Sequence, residues 1–266
     1  MPQGLLEGKR GVVLGVANEK SIAWGCAQAC ANAGARLTFN YPAEPFEKRV
    51  RKLAESLEHA SAYPCDVTDD GQIREFFERV RQEHGNIDFV IHSVAYAERE
   101  DLKNPFVETP RRNFQRALDV SAYSLVAVAR EAAAVMPEGG SIAAMTYYGA
   151  EKVVPNYNVM GVAKAALEAS ARYLAHDLGP RNIRVNCISA GPLPTLSASA
   201  ISGMRRMLEL TEKNAPLRRN VTQEDVAGAA VYLVSDLSTA VTGEVLHVDS
   251  GFNILGMGGD SAPQEE

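Results

Sequence analysis

Short apolar runs rich in β-branched residues alternate along this chain with longer stretches whose apolar positions recur at helical spacing. The pattern predicts strands near 11–16, 36–41, 60–65, 87–94, 140–146, 183–189 and 244–249. Helices are predicted near 21–34, 44–58, 70–84, 110–136, 157–179, 199–213 and 223–235. Strands of this kind, separated by helices, are the signature of a parallel sheet covered on both faces. The expected fold class is therefore α/β: a single Rossmann-like, doubly wound domain with a seven-stranded parallel sheet. No repeat or linker divides it, so one dinucleotide-binding and catalytic domain is expected over 1–256. The stretch 191–220, opening Gly191-Pro192-Leu193-Pro194-Thr195, is longer than a tight connection needs and is expected to form a substrate-binding lid. Residues 257–266, polar and acidic, read as a flexible tail.

Composition narrows the function classes. The formal charge of -6 argues against a general nucleic-acid or membrane-surface binder, so an anionic partner has to be met by a local patch. No signal-peptide core and no apolar run long enough to span a bilayer are visible, which predicts a soluble, cytoplasmic protein. Four cysteines without a C-x-x-C and five scattered histidines predict reduced thiols and no metal site.

The first predicted strand ends at Gly15, and the next helix starts near Ser21. A glycine lets such a turn bend tightly, and free N–H groups at the helix N-terminus can bind a pyrophosphate. The spacing is not G-x-G-x-x-G, and the turn taken alone is equally an ordinary loop. At the end of the second strand, Phe39-Asn40-Tyr41-Pro42, neither an acid for ribose hydroxyls nor an arginine for a 2′-phosphate is present. The missing basic residue favours NADH over NADPH, unless Lys48 or Arg49 folds back. Asp66 and Val94 stand at strand ends that should open on the ligand-binding edge; Asp66 is equally a helix cap, and His92 reads as a packed residue.

Tyr157 and Lys164 are seven residues apart, so a helix there would carry both on one face, two turns apart. An ammonium near a phenol favours the phenolate, so the pair predicts a tyrosine whose proton is loosened. By itself the pair is also what an amphipathic helix with a surface lysine would show.

Four stretches together carry a resemblance. They are Gly15-x5-Ser21-Ile22-Ala23, Tyr147-x-Gly149-Ala150-Glu151, Pro155-Asn156-Tyr157-Asn158-Val159-Met160-Gly161-x-Ala163-Lys164, and Ser189-Ala190-Gly191-Pro192-x-x-Thr195-Leu196. Over nearly the whole length the chain resembles the short-chain dehydrogenase/reductase superfamily, and more closely its bacterial enoyl-[acyl-carrier-protein] reductases. Carbonyl reductases of the superfamily place a Ser about thirteen residues before the catalytic Tyr; here that residue is Ala144, and Tyr147 stands ten residues before Tyr157 as in enoyl reductases. Thr146 is a nearby hydroxyl that keeps a ketoacyl or carbonyl reductase open as an alternative. A non-catalytic dinucleotide-binding regulator is the other.

The resemblance implies reduction of a trans-2-enoyl thioester by NADH in fatty acid elongation, with Tyr147, Tyr157 and Lys164 catalytic. It implies that Gly15, Ser21 and Ile22 hold the pyrophosphate side and that Asp66 and Val67 flank the adenine. Val94, Lys164, Leu193, Pro194, Thr195, Leu196 and Ser197 would hold the nicotinamide half, and Ala97, Tyr147 and Tyr157 would line the acyl pocket. Two departures stand out: Pro42 falls near a usual polar ribose contact, and Pro194 has no amide proton. The resemblance further implies a homotetramer and an acyl carrier protein as partner. Between Met204 and Arg219, Arg205, Arg206, Lys213, Arg218 and Arg219 face only Glu209 and Glu212, an excess of three positive charges. Arg205 and Arg206 are therefore the expected docking residues for an acidic carrier.

Overall fold

Strands buried on both faces explain the uniform apolar runs. In the computed structural model, which describes residues 4–195 and 203–256, all four residues of Phe89–His92 are buried, as are six of the seven in Gly140–Thr146. Seven strands, β1 Arg10–Leu14, β2 Arg36–Tyr41, β3 Ala60–Pro64, β4 Phe89–His92, β5 Gly140–Thr146, β6 Ile183–Ala190 and β7 Val245–Val248, pair in parallel throughout, in the order β3-β2-β1-β4-β5-β6-β7. The Rossmann-like sheet expected from the sequence is present.

Alternate strand residues face opposite layers. Val13, Phe39, Ile91, Ala143 and Ile188 pack with helices α1 (Ile22–Asn32), α2 (Glu44–Glu55) and α8 (Gln223–Val234). Val12, Leu14, Val90, Ile142 and Val185 pack with α3 (Asp70–His84), α5 (Ser124–Ala134) and α6 (Val159–Leu178). The remaining described helices are α4 (Arg111–Leu118) and α7 (Met204–Asn214). Three starts are chemically marked: Ser21 caps α1, Asp69 caps α3, and Thr222 with Asp225 forms a reciprocal capping box on α8.

Two predicted helices differ from the sequence reading. The helix expected over 110–136 is broken into α4, a π-turn over Asp119–Tyr123, and α5. Two serines stabilise the break: Ser124 donates to the Val120 carbonyl at 2.7 Å, and the Ser121 hydroxyl receives the Tyr96 N–H at 2.9 Å. The helix expected from 157 begins only at Val159, because Asn158 lies at φ 43°. Of the helix expected over 199–213, residues 199–202 lie outside the described residues, as do the predicted tail 257–266 and the site candidates Leu196 and Ser197.

The chain runs outward from β1 to β3 and then returns to β4 on the other side of β1. This reversal opens a crevice at the carboxyl ends of β1 and β4, the place where doubly wound sheets bind ligands.

Candidate active site

At that crevice β1 ends because Gly15 turns to φ +94°, and a Cβ there would lie 2.1 Å from the Ser93 carbonyl oxygen. Only glycine lets the turn close against the end of β4. The Gly15 N–H donates to Asn40 Oδ1 at 3.0 Å, and Asn40 Nδ2 donates to the Cys65 carbonyl at 2.9 Å. One buried asparagine thus ties together the ends of β1, β2 and β3. The turn continues to Ser21, whose hydroxyl donates to Asn18 O at 2.7 Å and accepts from Trp24 N at 3.3 Å. From α8, Gln223 Nε2 donates to the carbonyls of Glu19 at 3.2 Å and Ser21 at 2.7 Å. A turn that opens on a glycine and leads into a capped helix N-terminus at the switch point fits the pyrophosphate of a dinucleotide. Ile22 is the first residue of that helix.

The adenosine side is more mixed. Val67 is buried beside half-buried Asp66, whose Oδ1 receives the Thr68 N–H at 2.9 Å and hydroxyl at 2.8 Å. The capping role open to Asp66 belongs to Asp69, which accepts from Gly71 N and Gln72 N. Arg49 does fold back, reaching the Ala17 carbonyl at 3.3 Å, so a guanidinium stands beside the glycine turn after all.

On the other side of the crevice, β5 delivers Tyr147 and α6 delivers Lys164. Lys164 is buried, and its Nζ donates to the Met145 carbonyl at 2.7 Å. Loss of hydration lowers its ammonium to about 8, with Cys187 and Glu168 opposing the shift. Tyr157 does not lie on α6 with Lys164, as the spacing predicted. It sits in the preceding turn, where Asn156 (φ 64°) and Asn158 (φ 43°) take left-handed backbone. Its ring meets that of Tyr147 edge to face, 4.8 Å between centroids. Gly149 makes the seat: a Cβ there would lie 2.4 Å from Tyr157 Cδ1.

The predicted loosening of the Tyr157 proton is also corrected. Burial pushes its phenol well above the ordinary value, with Tyr147 and Glu168 adding to the shift. Tyr147 is pushed up to about 12, chiefly by burial and then by Asp249. Both hydroxyls are therefore neutral donors at physiological pH.

Tyr157, Leu102 and Met160 form a small apolar cluster against which Ala97, Tyr147 and Val154 pack, so the proposed acyl-pocket residues come together. Val94 lies at the end of β4, Leu193 is buried under the sheet edge, Pro194 is exposed, and the Thr195 N–H donates to Leu193 O at 2.8 Å. His92 is fully buried with Nε2 2.8 Å from Ser124 Oγ; burial lowers it to about 3, so it is a neutral packed residue. Thr146 donates to Glu168 Oε1 at 2.6 Å, and that hydroxyl is thereby committed away from the role of the missing serine at Ala144. In α7 and beyond, Arg205 pairs with Glu209 at 3.0 Å, and Arg219 makes two bonds to Asp225 at 2.5 and 2.9 Å. The positive excess of this segment is smaller than the sequence count, because Asp225 lies just outside the window.

Asn40, Gln223, Asn158 and Glu168 were not singled out by sequence. For Asn40, Asn158 and Glu168 a signal was present, since polar side chains among apolar or small residues need partners, whereas Gln223 stands in the polar run Thr222-Gln223-Glu224-Asp225 and carried none. Asn158 Nδ2 donates to the carbonyls of Asp101 (3.0 Å) and Asn104 (2.9 Å), clamping the loop that follows Ala97.

A dinucleotide-type crevice with a Tyr–Tyr–Lys group beside β5 defines a short-chain dehydrogenase/reductase. The family model described as Enoyl-(Acyl carrier protein) reductase matches residues 15–253, and the chain belongs to that family. Enoyl-[acyl-carrier-protein] reductase (NADH) 1 of Rhizobium meliloti is 54% identical over 260 residues, 98% of this chain and 96% of the relative. The Bacillus cereus enzyme of the same description, FabI, is 56% identical over 95% of this chain and 99% of its own. A crystal structure of the Bacillus cereus reductase with NADP+ and indole naphthyridinone superposes with a TM-score of 0.94 at 54% identity, covering 96% of this chain and 100% of that one. The Anaplasma phagocytophilum reductase in complex with NAD gives 0.93 at 50% identity, covering 97% and 98%.

Proposed function

We propose that this protein is an NADH-dependent enoyl-[acyl-carrier-protein] reductase that saturates the trans-2 double bond of carrier-bound enoyl thioesters in fatty acid elongation. The observation that carries the reading is the Tyr147–Tyr157 ring pair just past the end of β5, where buried Lys164 bonds the Met145 carbonyl, with Ala144 and a committed Thr146 where a carbonyl reductase needs a free hydroxyl.

The turn from Gly15 to Ile22 would hold the pyrophosphate, Asp66 and Val67 the adenosine, and Val94, Lys164 and the segment 193–197 the nicotinamide half. When bound, NADH supplies the hydride that adds to the β-carbon. Negative charge then collects on the thioester oxygen. The Tyr157 hydroxyl, kept protonated by burial, donates a hydrogen bond to that oxygen in a dry pocket where such a bond is strong. Lys164 contributes positive charge and a ribose contact. Tyr147 packs Tyr157 into place and, with Ala97, shapes the acyl pocket; the proton that the α-carbon takes up to complete the saturation comes from Tyr157, assisted by Tyr147, and is replaced from solvent. The segment 191–220 serves as the lid. The acidic carrier docks at Arg205 and Arg206, and the protein works in the cytoplasm as a homotetramer.

The test is NADH oxidation followed at 340 nm with a trans-2-enoyl thioester and with a 3-ketoacyl thioester. Turnover should be confined to the enoyl substrate; equal or faster reduction of the ketone would make it a ketoreductase, and NADH binding without turnover would make it a regulator. NADPH in place of NADH should give a lower kcat/KM, and a higher one would show that Arg49 reads the 2′-phosphate.

A further inference from the structure

Glu168 is a buried acid with 7% of its surface exposed, on a helix where the sequence offers many apolar alternatives. Burying a carboxylate is costly unless hydrogen bonds or opposite charges compensate it, so the groups around it matter. It lies one turn beyond Lys164 on α6, at the i, i+4 spacing that brings two side chains onto one face. The two residues grip consecutive residues at the end of β5: Lys164 Nζ donates to Met145 O at 2.7 Å, and Glu168 Oε1 receives the Thr146 hydroxyl at 2.6 Å. The next residue is Tyr147. A neutral glutamine would accept the Thr146 bond as well, so the hydrogen bond alone does not call for an acid.

The charged and titratable groups around this pair come from several elements. His92 faces Lys164 from β4 and Cys187 from β6. Glu168 also faces Arg172 on its own helix, Glu151 from the turn after β5, His247 from β7, and Tyr157. His92 is held neutral, and burial pushes the Cys187 thiol to about 12. Burial, and after it Glu151, pushes the Glu168 carboxyl upward, opposed by the Thr146 hydrogen bond, Arg172 and His247; of the two groups that favour the Lys164 ammonium, Cys187 and Glu168, the carboxyl is still the more readily ionised.

We propose that Glu168 is a positioning residue that, through Thr146 and Lys164, anchors the end of β5 beneath Tyr147 and keeps Lys164 in its ammonium form. The inference rests on the reductase reading above, because it deepens the role of Lys164 in that site. Burial favours loss of the Lys164 proton, and the neighbouring carboxylate offsets part of that tendency.

The experiment compares the native enzyme with Glu168→Gln, which keeps the acceptor and removes the charge. Two quantities are followed from pH 6 to 10: kcat/KM on an enoyl thioester, and NADH affinity by fluorescence. Both should fall on the alkaline side as Lys164 loses its proton, and in Glu168→Gln the midpoint should move down by about one pH unit. A purely structural glutamate would change the height of these curves and leave the midpoint in place. Thr146→Val should lower kcat about ten-fold with the native midpoint, and Thr146→Ser should restore it. A Glu168→Gln midpoint equal to native overturns the proposal. Should that variant fail to fold, native turnover in Thr146→Val overturns it instead. An inactive native protein would remove the reductase reading, while the NADH titration would still decide the role of Glu168.

Discussion

The rings of Tyr147 and Tyr157 stand edge to face, 4.8 Å between centroids and 71° between planes, although one follows β5 and the other precedes α6. Packing of this kind holds the Tyr157 hydroxyl at a fixed point beside the apolar cluster that includes Ala97 and Met160. Tyr157→Phe keeps the ring contact and removes the donor. Turnover on an enoyl thioester should fall about 10²–10³-fold with little change in Tm. Near-native turnover in that variant would transfer the oxyanion role to Tyr147.

Gly149 is the floor under Tyr157. A methyl group there would stand 2.4 Å from Tyr157 Cδ1 and 3.3 Å from Tyr147 Cδ1, so one ring has to move. Gly149→Ala is expected to cost about 1–3 kcal/mol of stability, as overpacking does, and to lower kcat more than it raises KM. Thermal unfolding and steady-state kinetics check it together. A variant with native Tm and native kcat would mean that the turn simply shifts to accept the methyl.

These relationships show what the sequence could and could not disclose. The central strands were legible because burial on both faces writes continuous apolar runs, whereas the edge strands β3 and β7 are only partly buried and showed through their spacing between helices; the positions of Lys164, Tyr147 and Gly15 were legible because they stand at strand ends or on a helix with clear spacing. The placement of Tyr157 was not. Periodicity starts a helix at Tyr157, whereas left-handed Asn156 and Asn158 on either side of it make that stretch a turn. The electrostatic reading failed with it, since a lysine seven residues on stabilises a phenolate only if its ammonium faces the phenol, and here it bonds to the Met145 carbonyl. Glu168 and Asn158 escaped notice because their partners, Thr146 and the 101–104 loop, are brought to them by tertiary packing.

Asn158 connects the backbone beside Tyr157 to the loop beyond Ala97. Its amide reaches two carbonyls, at Asp101 and Asn104, from a φ of 43°. Asn158→Ala loses both bonds while the backbone stays in a conformation costly for alanine. Protection of the 98–109 amides in hydrogen exchange should fall and KM for the enoyl thioester should rise several-fold. Asn158→Gly, which relieves the backbone cost alone, should recover Tm without recovering KM. Unchanged exchange in both variants would show that the loop is held by other contacts.

Lys164 makes stability depend on pH in a definite direction. Its native-state value, about 8, lies below the ordinary 10.5, so the native protein sheds this proton before the unfolded chain does. Below pH 8 both states are protonated and the burial penalty is carried in full. Between about 8 and 10.5 that penalty is progressively relieved. The Tm of native protein relative to Lys164→Met should therefore rise from pH 7.5 to pH 9.5, measured by scanning calorimetry without cofactor. A constant difference across that range would place the Lys164 proton outside the titration window.

The proposed carrier-docking surface has a geometry that makes its test specific. Arg205 carries 93% of its side chain in solvent, and its partner Glu209, 3.0 Å away, is itself 62% exposed. A surface pair of that kind contributes only about 0–1 kcal/mol, so an acidic partner can displace Glu209 at small cost. Arg206, next along α7, is exposed as well, whereas Arg219 is held by Asp225 and is not expected to take part. Charge reversal at Arg205 and Arg206 together, each to Glu, should raise KM for a carrier-bound enoyl substrate several-fold and leave KM for a short enoyl-CoA nearly unchanged. The native carrier reaction should weaken with added salt, since exposed charges are screened over about 10 Å at 0.1 M. Arg219→Glu should lower Tm through the α8 capping box and leave the carrier dependence alone. Equal loss with both substrates in the double variant would mean that α7 serves the acyl pocket rather than the carrier, and carrier kinetics untouched by either salt or charge reversal would exclude this surface as the dock.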